Sequence, residues 1–233
     1  MSSDRKTAII VGILFIAATA APLLSFPFLV PLNAPDFPAE IPGQGALLTT
    51  GALLELIMAL AIAGIATTIY PVLRRHNEAL ALGYVGARIL ESVVFIVVAV
   101  ISLLSLVTLS RHFVNGGSPD ASSFYVVGRF LRSAHDWAYV VGGNVVFTVS
   151  ALILNTVLYQ SRLVPRFISV WGLLGAALLL VGGLLAMFGW PAGTSGLEPV
   201  MFLPIALQEM VFAVWLIAKG FDLSVIKVNS ERI

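Results

Sequence analysis

The sequence contains no cysteine and very little charge, and both shortages limit what the protein can be. Without cysteine the chain can form no disulfide, thiol nucleophile, thiolate metal site or iron–sulfur cluster. Charged residues make up 11% of the 233 residues, whereas a soluble domain carries about 25%. Apolar residues make up 59%, and the mean hydropathy is +1.00. These values exclude an ordinary soluble enzyme and a disordered protein, and they indicate an integral membrane protein.

Histidine and lysine are also too few, or wrongly placed, for the common cofactors. The chain has three histidines, and His76 and His112 are predicted on opposite sides of the membrane. A three-histidine zinc site and paired haem ligation are therefore excluded. The predicted membrane spans contain no central lysine for a retinal Schiff base. With a net charge of +1, the chain has no basic face for nucleic acid. We expect no metal, no cofactor and no nucleic-acid partner.

Six long apolar stretches follow one another along the chain. A helix that crosses a bilayer needs about 20 mostly apolar residues. Because lipid offers no hydrogen-bond partner to the backbone, stretches of this length are predicted to be helices. The sequence therefore predicts an all-α, polytopic membrane helical bundle, with residues 1–233 as a single transmembrane domain. The six predicted helices cover residues 7–32, 45–73, 80–109, 122–160, 165–190 and 199–220.

Two segments allow alternative interpretations. Arg5 and Lys6, an apolar run and Ala18-Thr19-Ala20 together resemble a signal peptide with its cleavage site. Since the apolar run continues to Leu29, we favour an uncleaved first helix. Residues 121–134 mix aromatic and basic side chains, which suits an amphipathic extension of the fourth helix at the membrane interface. A long exposed loop explains the same composition.

Basic residues in the short connections predict the orientation. The cytoplasmic side of a membrane protein carries the excess of lysine and arginine. The acidic positions Asp36, Glu40 and Glu198 fall on the opposite side. We therefore expect a multi-pass protein of the cell membrane with both termini in the cytoplasm. The basic residues on the predicted cytoplasmic side are Arg5, Lys6, Arg74, Arg75, Arg162, Arg166, Lys219, Lys227 and Arg232.

Ionisable residues inside the predicted spans are the main functional signal. A charge at the bilayer centre costs about 2.5–3.5 kcal/mol on insertion scales, so such residues need partners or a purpose. Arg88 and Glu91 are three residues apart and share a helix face, and Glu209 is predicted at the depth of Glu91. We predict a water-accessible cavity lined by Glu55, Arg88, Glu91, Asn144 and Glu209. The full set of candidate ligand-binding residues is Glu55, Tyr84, Arg88, Glu91, His135, Asp136, Asn144, Gln208 and Glu209.

The charge balance of this set suggests a function without naming a ligand. One arginine cannot neutralise three carboxylates, which favours binding or transport of a small cation, a proton-coupled solute, or a polar or lipid ligand. A network that only fixes helix packing is the alternative interpretation. Two further hypotheses are an intramembrane enzyme for a lipid-like substrate and a structural or regulatory membrane subunit. The sequence identifies no catalytic residue, so we regard an enzyme as the weaker hypothesis, and it predicts no oligomeric state.

Several stretches together resemble an uncharacterised prokaryotic family of multi-pass membrane proteins, domain-of-unknown-function family 4386. The resemblance covers nearly the whole chain, about residues 5–221. It implies several membrane helices, with no assigned activity and no catalytic residue. The family often has arginine where this chain has His135, so any role of His135 is particular to this protein. The resemblance rests on residues 70–78, 80–91, 136–137, 161–166, 169–172, 207–210 and 215–217.

Overall fold

The computed structural model describes residues 3–33, 43–114, 121–189 and 197–222, and six of its helices are long and apolar enough to cross a membrane. This confirms the predicted all-α membrane bundle. Helix α1 is Ser3–Leu29, followed by a 3₁₀ turn at Val30–Asn33, and α2 is Gly45–Leu73. Helices α5 and α6 are Arg166–Met187 and Leu197–Ala218.

Helices α3 and α4 each contain a π-helical segment between two α-helical parts. Helix α3 consists of Glu78–Val94, the π-helical Phe95–Val100, and Ile101–Val114. Helix α4 consists of Ala121–Ala138, the π-helical Tyr139–Val146, and Phe147–Ser161. Residues 121–134 are thus helical and continuous with the fourth span. Apolar periodicity had predicted neither π-helical segment, because both are as apolar as the helix around them.

Local capping residues explain where the long helices begin and end. The Asn77 side chain accepts a hydrogen bond from the Leu80 backbone N–H at 3.0 Å, so α3 begins two residues before the predicted start. Helix α4 ends where Arg162 adopts a left-handed conformation, with φ 56° and ψ 25°. Pro165 precedes the first residue of α5, and Gly220, with φ 81°, follows α6.

The six helices pack in chain order as a closed ring. Each helix contacts the next one along the chain, and α6 returns to contact α1. Phe15 of α1 and Phe212 of α6 pack edge to face, with their ring centroids 5.3 Å apart. A core of fully buried side chains links these helices to α2 and α4, among them Ile65, Ile69 and Leu158.

The outer surface of the ring is apolar. Leu23, Phe130 and Leu174 are 65%, 70% and 68% exposed. A soluble protein of this size would cover such a surface with polar side chains, whereas lipid tails solvate it. Asp36, Glu40, Lys227 and Arg232, which contribute to the predicted orientation, lie outside the described residues.

Candidate functional site

Arg88 lies at the centre of the ring and binds two carboxylates. Its Nη1 donates to both carboxylate oxygens of Glu91, at 3.2 and 3.0 Å. Its Nη2 donates to Oε1 of Glu209 on α6 at 3.4 Å, and its Nε donates to the Tyr84 hydroxyl at 3.3 Å. The sequence spacing had predicted the Arg88–Glu91 pair and a common depth for Glu91 and Glu209. We call Tyr84, Arg88, Glu91 and Glu209 the central cluster.

Aromatic rings surround the Arg88 guanidinium. Its central carbon lies 5.6 Å from the ring centroid of Phe15 on α1 and 5.1 Å from that of Phe147 on α4. The Tyr84 ring lies at 5.8 Å. Cation–π contact of this kind favours a guanidinium away from water. Phe15 and Phe147 were not predicted from the sequence, because phenylalanine in an apolar helix gives no signal that distinguishes it from other core residues.

The two carboxylates of the central cluster differ in their exposed fraction and in their hydrogen bonds to Arg88. The side chains of Arg88 and Glu91 are each 4% exposed, whereas that of Glu209 is 16% exposed. Glu91 receives two hydrogen bonds from Arg88, and Glu209 receives one longer bond. Glu209 is therefore the carboxylate most available to a ligand.

Glu55 belongs to a different cluster, formed between α2 and α4. His135 Nε2 lies 2.9 Å from Glu55 Oε1, and the Tyr139 hydroxyl donates to the same oxygen at 2.8 Å. Asp136 Oδ1 lies 3.5 Å from His135 Nδ1, and Asp136 Oδ2 accepts from Arg132 Nε at 3.1 Å. The Glu55 side chain is fully buried. We call Glu55, Arg132, His135, Asp136 and Tyr139 the α2–α4 cluster.

Three members of the α2–α4 cluster, Glu55, His135 and Asp136, were predicted from the sequence, but their pairing was not. Glu55 and His135 are 80 residues apart, so no local spacing connects them. Tyr139 was missed, although it lies four residues after His135 on one helix face, which is the signal that could have found it.

The remaining candidates, Asn144 and Gln208, lie at contacts of α5 and α6 with α4. Gln208 Nε2 donates to Asn155 Oδ1 at 3.3 Å and to the Ile168 backbone oxygen at 3.2 Å, and so joins α6 to α4 and α5. Asn144 is buried in the π-helical segment of α4, where its Cβ faces Gly183 of α5. Gln208 thus serves a contact between helices.

Both π-helical segments lie beside the polar residues. The segment in α3 begins four residues after Glu91, and the segment in α4 begins at Tyr139 and contains Asn144. The two segments meet where the Phe95 and Tyr139 rings pack edge to face, with centroids 5.1 Å apart. π-helical turns inside α-helices are frequent at functional sites.

The two clusters differ in charge. The central cluster contains one guanidinium and two carboxylates, so it carries one excess negative charge when all three groups are ionised. The α2–α4 cluster contains two carboxylates, Arg132 and His135, so its charges balance when His135 is protonated. Within the described ranges, no group of three or more His, Asp or Glu side chains is arranged to hold a metal ion. One further positive charge would balance the central cluster.

The fold and the buried clusters define a polytopic helical membrane protein with ionisable residues at its centre. The model of a family described as a domain of unknown function, DUF4386, matches residues 10–220, and the chain belongs to this family. No curated protein and no solved structure matches the chain significantly.

Proposed function

We propose that this protein binds a proton or a small monovalent cation at the central cluster and carries it across the membrane. The observation that supports this proposal is the charge balance around Arg88. Arg88 contacts Glu91 and Glu209 together, so the three side chains carry one excess negative charge when all are ionised. An uncompensated charge inside a membrane span is costly. A bound proton or cation would remove that cost.

The exposure of Glu209 supports the same proposal. A ligand must reach the cluster and leave it, and Glu209 combines partial exposure with the weakest contact to Arg88. Glu91 is held by two bonds to Arg88 and serves to fix the guanidinium. In this proposal Glu209 binds and releases the ligand. Arg88 and Glu91 provide the charges that surround it. By the charge rule for connecting loops, the protein would lie in the cell membrane with both termini in the cytoplasm.

Flux through liposomes that contain the purified full-length chain tests this function. An imposed proton, sodium or potassium gradient should dissipate faster than in protein-free liposomes. Glu209→Gln should slow the flux by about tenfold or more, because a hydrogen bond to a charged group contributes about 1.5–3 kcal/mol. Glu78→Gln is the matched control, since Glu78 is an exposed carboxylate in the first turn of α3.

Each outcome of the flux measurement is decisive once folding is checked by gel filtration and thermal unfolding. A folded Glu209→Gln protein that carries all three ions at the wild-type rate would contradict the proposal. Equal loss of flux in Glu209→Gln and Glu78→Gln would also contradict it, because the effect would not then depend on the central cluster.

A further inference from the structure

A polar cavity lies at the end of the bundle where α4 and α6 end and α5 begins. Its volume is about 510 Å³, and its lining includes Arg162, Arg166, Trp215, Lys219 and Asp222. A hydrogen bond from the Asp222 backbone N–H to the Leu163 oxygen, at 2.8 Å, ties the chain after α6 to the loop between α4 and α5. This volume is within the range of small-molecule sites. We call it the basic cavity, and it is separate from the central cluster.

The lining of the basic cavity is rich in positive charge. Arg162, Arg166 and Lys219 contribute three cations, and Asp222 contributes one carboxylate. The ion pairs among the described residues include none of these three cations. The Arg166 guanidinium lies 5.0 Å from the ring centroid of Tyr159, which orients it. The cavity therefore presents a net positive charge to a ligand.

Backbone groups at the same place also favour an anion. Helix α5 begins at Arg166, after Pro165, which gives the helix no side-chain acceptor. Among the first N–H groups of α5, that of Ile168 donates to the Pro165 oxygen at 3.0 Å. Those before it have no carbonyl within the helix to bond, and the helix dipole favours negative charge there. Phosphate groups are common ligands of such positions when cations accompany them. The basic cavity has both features.

The conformation of Arg162 adds a further argument. Its φ of 56° is left-handed, a region that favours glycine and costs other residues about 1–2 kcal/mol. Glycine would end α4 at less cost, but it would supply no cation. An arginine at this position supplies a positive charge to the cavity, although its backbone conformation is less favourable than that of a glycine.

The position of the cavity along the helices indicates where its ligand comes from. The apolar span of α4 ends at Ser161, that of α5 begins at Arg166, and that of α6 ends at Ala218. The cavity is thus at the level of the lipid headgroups, and the half-buried Trp215 suits that level. We propose that the basic cavity binds the phosphate of an anionic phospholipid headgroup.

Titration of the purified full-length chain with defined lipids, followed by native mass spectrometry, tests this proposal. Phosphatidylglycerol should bind more tightly than phosphatidylcholine. Arg166→Gln, Lys219→Gln and Arg162→Asn should each weaken phosphatidylglycerol binding by about fivefold, the factor that corresponds to about 1 kcal/mol per cation near a lipid surface. Asparagine is chosen at position 162 because it tolerates the left-handed conformation.

Arg74→Gln provides a closely matched control. Arg74 is an exposed arginine after α2 that stacks on Tyr70 at 5.6 Å, much as Arg166 stacks on Tyr159. It does not line the basic cavity. Binding of phosphatidylglycerol should be unchanged in this variant. If Arg74→Gln weakens binding as much as Arg166→Gln, or if both lipids bind equally, the proposal is wrong.

A second arm with inorganic phosphate in nonionic detergent distinguishes the two sources of a phosphate group. If phosphatidylglycerol binds and inorganic phosphate does not displace it, the ligand is a lipid headgroup. If inorganic phosphate itself binds with the same dependence on Arg166 and Lys219, while the lipid does not, the cavity takes a soluble phosphate. The absence of both kinds of binding would overturn the proposed site.

Discussion

Arg88 connects four helices at the centre of the bundle. It contacts aromatic rings from α1 and α4 and carboxylates from α3 and α6. Removing one member of a buried ion pair costs more than removing both, because the remaining charge is left without a partner. Arg88 thus has a structural role that is separable from the proposed exchange at Glu209.

Substitution of Arg88 tests this structural role. Arg88→Leu should lower the free energy of unfolding by about 3–5 kcal/mol, since Glu91 would stay buried without its partner. The double variant Arg88→Leu/Glu91→Leu should lose less than the sum of the two single variants. Unfolding of the purified proteins in mixed micelles, with increasing denaturing detergent, measures these differences.

Arg129→Leu is the control for this series, because Arg129 is exposed on α4. Its effect should stay within about 0.5 kcal/mol, as is usual for surface positions. If the effects of Arg88→Leu and Glu91→Leu simply add, the two residues are not energetically coupled and the structural role is refuted.

At the scale of helices, glycines set how closely α5 approaches its neighbours. A Cβ at Gly172 would overlap the side-chain amide of Asn155 on α4, and a Cβ at Gly183 would come within 2.8 Å of the Asn144 Cβ. The same Asn155 side chain accepts a hydrogen bond from Gln208 of α6 at 3.3 Å. Small residues at helix contacts are the usual means of tight packing in membranes.

Gly172→Ala should therefore destabilise the bundle. Overpacking of a close contact typically costs about 1–3 kcal/mol, and the same unfolding measurement detects it. Gly86→Ala is the matched control, because a Cβ at Gly86 meets nothing within 4 Å. Alanine there should leave stability unchanged or raise it by up to about 1 kcal/mol. If both variants lose the same free energy of unfolding, the small size of Gly172 is not what allows α5 to approach Asn155.

At the scale of the whole molecule, polar contacts close the ring at its basic end. Arg5, near the start of α1, donates from Nη1 to the Leu216 backbone oxygen near the end of α6 at 2.8 Å. Arg75, after α2, forms an ion pair with Asp4 at 2.9 Å. The start of α1 and the ends of α2 and α6 thus meet at one end of the bundle. This is the end that the charge rule assigns to the cytoplasm.

The absence of cysteine makes the orientation simple to test. A single cysteine at Glu40→Cys should react with a membrane-impermeant maleimide in intact cells. A single cysteine at His76→Cys, in the exposed turn after α2, should react after permeabilisation alone. The wild-type chain gives the blank, since it has no thiol. The opposite pattern would place the termini outside and reverse the proposed orientation.

The helices were predictable because each depends on a contiguous apolar stretch. The second predicted helix, 45–73, agrees with α2 at Gly45–Leu73. The third differs at both ends, because Asn77 caps its start and because the helix continues beyond the apolar stretch, through Arg111 and His112, to Val114. The Arg88–Glu91 pair was also predictable, because residues three apart on a helix are neighbours. The partners of Glu55 were not, since His135 and Tyr139 belong to another helix.

Four properties of the protein can be read from its amino-acid sequence: its class, its six long helices, its family and the set of polar residues inside the membrane. These follow from local composition, because the cost of burying backbone or charge in lipid is set by nearby residues. The packing of the helices was needed to show that Arg88 meets Glu209 from 121 residues away, near the rings of Phe15 and Phe147. It was also needed to show that Glu55 joins a separate cluster. Such contacts depend on how each helix is rotated and which helix it packs against, and sequence spacing within one helix does not specify either.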